Sequence, residues 1–543
     1  MNPHYTNTIQ EPDKNSFYQA VQNIFSCKIF PYIFFLIIIF IVYARSVLFG
    51  ITELDDVALV TSQYEYLSDP YNMIASFFKS VFNEADDTFY RPVLVISWII
   101  DTLIGGGRIW AYHLSNVIYH FIAVCMLFNL LKNLNLSINK SLIFSSFFAV
   151  IPVINQAVSW IPGRNDIIVA IFVFGAFLFT VKYNNSGNFK YLFLSAVLFT
   201  LSLFTKETAL ASFIVFPAYI FLNGKENFLK KTCILTGALL FCVLVWYLMK
   251  SSFTGTKEIG IFHLVSYIKI AAVRFFPANL QYVSKIFFPV NLKVMPVLSG
   301  FDTVLGLLVS ALITSLVCAS KKVNFSNILF GLLWFIMFLV LPYFQNSYFI
   351  LEHRAYIAFL GLILILNEIK LNGKIKNVLP YLTVFYFLFF IAVSFVNNIK
   401  FENKLTFAAA AVIETPRNIK TTFLYGRKFL DNGALQTGAY FMKKNYEQKS
   451  IKDKQKDPLN AAFIGLFAWQ RGDIKEAKKY LTIAAEKNTT IHQTYGALAN
   501  IFINEERHKE ALSNIKKAFK LNPENPEYFR YLKYCFNRIN NKQ

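Results

Sequence analysis

The chain has 543 residues, 55% of them hydrophobic and only 16% charged. Water-soluble domains carry about a quarter charged residues, so this balance excludes an ordinary soluble enzyme. The formal net charge is +21, and from Asn398 onward there are 26 Lys/Arg against 14 Asp/Glu.

The first three quarters therefore read as membrane, and the last quarter as soluble, helical and basic. The lysines sit on helix faces and membrane flanks, which directs the charge toward anionic lipid headgroups rather than nucleic acid. The six cysteines form no CxxC pair. Neither a disulfide framework nor a metal knuckle is expected from them.

After a cytoplasmic segment 1–28, apolar runs predict a membrane domain over 29–397. Eleven spans are expected, near 29–49, 112–131, 141–158, 166–181, 190–204, 208–222, 232–249, 302–319, 325–344, 355–367 and 378–397. The first reads as a signal anchor. Alternate short loops carry clustered lysines (Lys132/Lys140, Lys182/Lys190, Lys225/Lys230/Lys231, Lys321/Lys322, Lys370/Lys374/Lys376). In the other loops Arg164, Lys206 and Arg354 stand singly. The positive-inside pattern then places the lysine-rich loops in the cytoplasm. Two long extracytoplasmic loops follow, about 50–111 and 250–301. Between Ile51 and Tyr90 the first holds eight acids against Lys79 alone. Its later part, Arg91–Ile104, is apolar enough for a surface helix, and Phe275-Phe276-Pro277 and Phe287-Phe288-Pro289 are expected to break amphipathic segments in the second.

Beyond a linker at 398–423, the tail 424–543 has a period. Ala477, Leu481 and Ala484 recur 34 residues later as Ala511, Ile515 and Ala518, and Gly465 meets Ala499. This spacing resembles the tetratricopeptide repeat, in which small residues let two helices cross closely. Copies are expected at about 458–491 and 492–525, behind a degenerate hairpin at 424–449 and before a capping helix from Pro526. The domain reads either as a docking surface for an acceptor or as a brace for the membrane part.

Polar residues gather on one face of the expected topology. They are Asp55 and Asp56 after the first span, Arg91 in the first loop, and His113 and Asn116 at the second span. With them come Gln156, Arg164 and Asp166, then Lys206-Glu207, and finally Glu352-His353-Arg354. Ionisable groups at membrane depth are costly enough to signal function. Arg164, Lys206 and Arg354 are suited to a lipid-borne phosphate. One of Asp55 and Asp56 is suited to take a proton from an acceptor hydroxyl, with the other orienting it. Both converge on one atom only if that stretch is extended, since helical neighbours point apart. Glu207 and Glu352 would orient the cations, and Lys206-Glu207 also reads as a plain ion pair in a hairpin. No metal-ligand spacing joins the histidines.

Several strings resemble those of a known family: Tyr90-Arg91-Pro92, Trp110 through Asn116 with His120, Ile151-Pro152 through Trp160, Gly163-Arg164-Asn165-Asp166, Lys206-Glu207 and Glu352-His353-Arg354-Ala355-Tyr356. The chain is similar to transmembrane and tetratricopeptide repeat glycosyltransferases of the GT-C superfamily, related to protein O-mannosyltransferases. That resemblance implies a catalytic acidic motif in the first loop, at Asp55-Asp56, and an inverting transfer from a polyprenyl-phosphate sugar; no divalent metal is indicated. The short repeat array and the Phe-, Ile-, Lys- and Asn-rich composition point to a bacterial inner membrane with an undecaprenyl-phosphate donor and a protein or glycan acceptor. An O-antigen ligase or polymerase, and a non-catalytic scaffold displaying the repeats, remain as alternatives.

Overall fold

A computed structural model of the chain describes residues 28–52, 55–81, 89–224, 226–254, 261–341, 350–371, 374–415, 422, 426, 435–448 and 457–540. Glu53, Glu84, Asp86 and Asp87 of the acidic loop lie outside them, as do the N-terminal segment 1–27 and most of 424–434. The described residues are helical, with no strand among them. They form a membrane helical bundle followed by a small helical repeat domain. Two compact units separate, one comprising residues 1–292 and 296–402, the other 293–295 and 403–543.

Among the described residues the first unit contains thirteen helices of ten residues or more: α1 Phe30–Tyr43, α2 Pro92–Gly105, α3 Ile109–Asn133, α4 Ile138–Val150, α5 Arg164–Ser186, α6 Phe189–Leu203, α7 Ala211–Asn223, α8 Phe228–Phe253, α9 Ile261–Phe287, α10 Gly300–Ala319, α11 Phe325–Val340, α12 Ala355–Asn367 and α13 Lys374–Asn398. All eleven stretches expected to span the membrane are helical where described. Among the described residues, six helical segments are long and apolar enough to cross alone, and α4 with the turn after it, bent by 47°, makes a seventh if the bent pair is one span. The bend falls at Ile151-Pro152, where proline supplies no amide donor. Helices α6, α7, α11 and α12 have 15, 13, 16 and 13 residues. Each is shorter than the roughly 20 residues a full crossing needs.

Aromatic packing closes the middle of this unit. Phe177 on α5 stacks on Phe216 of α7 at 5.3 Å and lies 4.9 Å from Trp334 of α11. Helices α11 and α12 touch backbone to backbone. A Cβ at Gly331 would come within 2.6 Å of the Gly361 carbonyl oxygen, and one at Gly361 within 2.3 Å of the Gly331 oxygen. Small residues allow that approach where lipid offers no hydrophobic drive for helix association.

Two local expectations change. Pro277 does not break its segment: α9 runs through it for 27 residues. An interior proline costs about 3 kcal/mol. Burial of Ala278, Tyr282, Val283 and Ile286 on one face offsets that cost. The helix ends instead at Phe287, where the second expected break lies. The stretch 398–423 also contains a helix, α14 Lys404–Glu414, opened by Asn403 and Thr406 in a reciprocal capping box.

In the second unit, α15 Leu435–Gln448 precedes two helical hairpins, α16 Pro458–Gln470 with α17 Ile474–Glu486 and α18 His492–Asn504 with α19 His508–Leu521. The 34-residue period is structural: Ala477, Leu481 and Ala484 are buried, and so are Ala511, Ile515 and Ala518. Helix α20 Pro526–Asn540 closes the stack by burying Tyr528 and Cys535.

Candidate active site

Asp55 and Asp56 open a single helical turn, with Asp56 at φ −55° and ψ −41°. The extended stretch that convergence requires is absent, and neighbours on a helix point about 100° apart. Asp56 is 0% exposed, and its Oδ2 accepts hydrogen bonds from the Thr52 amide (2.7 Å) and the Thr52 hydroxyl. It pins the start of the loop. Asp55 faces out and is accessible to water. Nearby protein partly desolvates its carboxyl. That burial raises its pKa above the ordinary carboxylate value, and the charge of Arg91 opposes the rise.

Two arginines from separate stretches, Arg91 and Arg354, lie within electrostatic reach of Lys206. Arg91 directs Nη2 and Nε at Glu207 Oε2, at 2.8 and 3.2 Å. Lys206 turns away from its neighbour Glu207, so the hairpin does not hold the simple adjacent pair. Its Nζ bonds Asp166 Oδ2 at 2.6 Å and Asn165 Oδ1 at 3.0 Å. Burial lowers the Lys206 pKa against the pull of Asp166, and the charges of Arg91 and Arg354 lower it further. His353 places Nε2 3.5 Å from the same Asp166 oxygen, and Nδ1 2.8 Å from Gln156 Oε1. Burial pushes its pKa down to about 3, so the ring is neutral at neutral pH. Glu352 forms an ion pair with Lys285 on α9. Tyr282, one turn earlier, donates to the Leu351 carbonyl at 2.9 Å.

Other candidates brace the scaffold. Arg164 is 0% exposed, ion-paired with Asp101 and bonded to the Tyr112 carbonyl (2.6 Å) and the Ser115 hydroxyl (3.0 Å). A guanidinium so enclosed has no face for a ligand. Asn116 donates to the carbonyls of Val158 and Trp160 at 3.1 and 3.0 Å, and His113 Nε2 meets the Gly50 carbonyl at 3.2 Å. The Asn116 bonds hold the bent connection 151–163, which delivers α5 with Asn165 and Asp166, while His113 holds the entry to the first loop at Gly50. Gly163 completes that bend, since a Cβ there would lie 2.5 Å from the Gln156 oxygen. Gly163→Ala is therefore expected to cost about 1–3 kcal/mol, read as a lower thermal midpoint of the purified protein.

Sequence reading missed Thr52, Asp101 and Lys285. For Lys285 the signal was present: it lies on the apolar face of α9 with Ala278 and Tyr282, where an ionisable residue needs a partner. Among the described residues no group of three His, Cys, Asp or Glu is placed to hold a metal ion.

Residues 91–249 match the family model of dolichyl-phosphate-mannose-protein mannosyltransferases, and residues 492–525 match a tetratricopeptide repeat. The second match coincides with the copy read from the period. Protein O-mannosyl-transferase F38B6.6 of Caenorhabditis elegans is 24% identical over 377 residues, 65% of this chain and 53% of the relative. Protein O-mannosyl-transferase Tmtc2 of Drosophila melanogaster is 29% identical over 166 residues, 28% of this chain and 18% of its own. Protein O-mannosyl-transferase TMTC3 of Homo sapiens is 35% identical over 95 residues, 16% of this chain and 10% of its own. The chain thus spans about half the length of the first and far less of the others. In both its membrane part and its repeats, the chain resembles the transmembrane and tetratricopeptide repeat O-mannosyltransferases.

Proposed function

We propose that the chain is a multi-pass membrane glycosyltransferase that moves a hexose, mannose by the resemblance, from a polyprenyl-phosphate donor to a hydroxyl of a protein acceptor. The observation that carries this reading is that Lys206 lies within electrostatic reach of both Arg91 and Arg354, and that Arg91 is in turn within reach of the accessible Asp55 carboxylate. Cations at headgroup level suit a lipid-borne phosphate; arginine clamps its oxygens and lysine acts as a point charge. In the transfer, the acceptor oxygen attacks the anomeric carbon from the face opposite the phosphate. The bond from that carbon to the phosphate oxygen breaks, and its electron pair leaves with polyprenyl phosphate. The acceptor proton passes to Asp55. The phosphate needs no acid to leave, which fits a site rich in cations with Asp55 as its base. The repeats would present the acceptor polypeptide, and a bacterial membrane would supply undecaprenyl-phosphate sugars.

Purified protein titrated with a panel of polyprenyl-phosphate sugars tests the cationic site. Arg354→Gln is expected to weaken donor binding about 10- to 100-fold with little change in thermal midpoint. Unchanged binding of every donor with a lowered midpoint would make the cations structural.

The pH profile tests the base. Asp55 must be ionised to accept a proton, so kcat/KM is expected to fall on the acid side, at a pH above the ordinary carboxylate range. Arg91 holds the Asp55 pKa down. Arg91→Gln therefore raises it, and the acid limb moves to higher pH. A limb that stays put or moves toward acid contradicts the assignment.

A further inference from the structure

The structure points to a site for an anionic glycerophospholipid, which we propose in the cleft between α4, α12 and α13, with its headgroup on Lys140 and Lys376. The cleft has a volume of about 510 Å³ and is walled by Phe144, Phe147, Phe359, Leu379, Tyr386 and Phe390. Lys140 bonds Asn367 at the end of α12, and Lys376 lies in the first turn of α13 across the short connection, so both lysines of the lining belong to one end. An apolar trough with cations at a single end selects an amphiphile whose charged head is negative.

The basic end is built, not incidental. Lys140 Nζ bonds the Asn367 carbonyl and side-chain oxygen at 3.1 and 2.9 Å, which fixes it at the last turn of α12. An ammonium has three donors, so one remains for a ligand. In the adjoining loops the Lys370 amide bonds Ser320 Oγ at 2.9 Å and its Nζ bonds the Lys322 carbonyl at 2.8 Å. Lys321, Lys322 and Lys370 thereby gather near the same mouth. The acid of these loops, Glu368, is buried and turned inward, accepting from the Asn324 amide and Asn327 Nδ2, both at 2.9 Å. It leaves the mouth positive.

Length favours a phospholipid over a long isoprenoid. The walls run from Lys140 to Ile151 and from Lys376 to Phe390, about 17 and 21 Å at 1.5 Å per helical residue. One leaflet of a roughly 30 Å hydrocarbon core is about 15 Å deep. An acyl chain fits that depth, and a polyprenyl chain several times longer overruns it. Around the donor site Arg91 and Lys206 are paired across helices to carboxylates, whereas here lysines meet carbonyl oxygens. This lipid would be structural, and its site is independent of the transfer chemistry.

The test uses the full chain in phosphatidylcholine nanodiscs doped with phosphatidylglycerol, with bound lipid read by native mass spectrometry after release into detergent. Wild type is expected to retain phosphatidylglycerol in preference to phosphatidylcholine. Lys140→Gln with Lys376→Gln should weaken its retention about 30-fold, from two lysines near the surface. Lys182→Gln with Lys190→Gln, on other basic loops, should leave it unchanged. Thr383→Trp, which fills the trough without touching charge, should expel the lipid. Equal retention of both lipids, or an equal loss in both double variants, overturns the site. Displacement of phosphatidylglycerol by equimolar undecaprenyl phosphate overturns the occupant.

Discussion

Asp55→Asn is expected to lower the rate of sugar transfer by about 10²- to 10⁴-fold while the protein folds and inserts as before. The substitution keeps the shape of an accessible side chain and removes only its basicity. Asp56→Asn should behave differently. That carboxylate accepts two hydrogen bonds from Thr52 in a site closed to water. Weakening bonds to a buried charge costs about 1.5–3 kcal/mol, so the thermal midpoint should fall, with activity following the displaced loop. The pair of variants separates the roles: one loses rate at constant stability, the other loses stability first. Transfer assays and thermal melts on the same preparations check both. Full activity in Asp55→Asn removes it as the base.

Arg164→Met is expected to be the most destabilising single change in the membrane unit. It leaves Asp101 buried without its cation, at a cost of about 3–5 kcal/mol. Arg164→Met combined with Asp101→Asn should recover much of that loss, because replacing both members of a buried pair removes the stranded charge. Donor affinity in the double variant should match wild type, because Arg164 faces Asp101, Tyr112 and Ser115 rather than the cationic cluster. Thermal melts and donor titrations of the single and double variants provide the check. A double variant that is stable but has lost the donor would return Arg164 to the binding site.

Arg164 and Arg354 illustrate the limit of reading this chain from its residues. Both stand as single bases in loops otherwise bare of charge, and the sequence treats them alike. What separates them is burial: Arg164 is fully enclosed against Asp101, 63 residues earlier and brought into contact by the packing of α2 against α3 and α5, whereas Arg354 is half-buried. The same holds for Lys206, whose neighbour in sequence is Glu207 but whose partner in space is Asp166. Ion pairing depends on how helices rotate against one another, and no local pattern records that rotation.

Features set by local geometry were legible. The 34-residue recurrence of small residues marks helices that must cross closely, and the structure buries those residues. The helical segments follow from apolar run length alone. Proline at 277 misleads because its cost is local, whereas the burial that outweighs it is tertiary. The turn at Asp55-Asp56 is too short for a period to reveal, so the divergence of the two carboxylates emerged only from the fold.

The most direct measurement is of the product. Purified full-length protein would be incubated with polyprenyl-phosphate mannose and a serine- and threonine-containing acceptor peptide. Free polyprenyl phosphate and glycosylated peptide would be quantified, and the anomeric configuration read by NMR. A single displacement at the anomeric carbon, with Asp55 as base, predicts equimolar products, with the anomeric configuration of the glycosylated peptide opposite to that of the donor. No transfer from any polyprenyl-phosphate sugar by protein that binds the donor, or a product with retained configuration, would contradict the account.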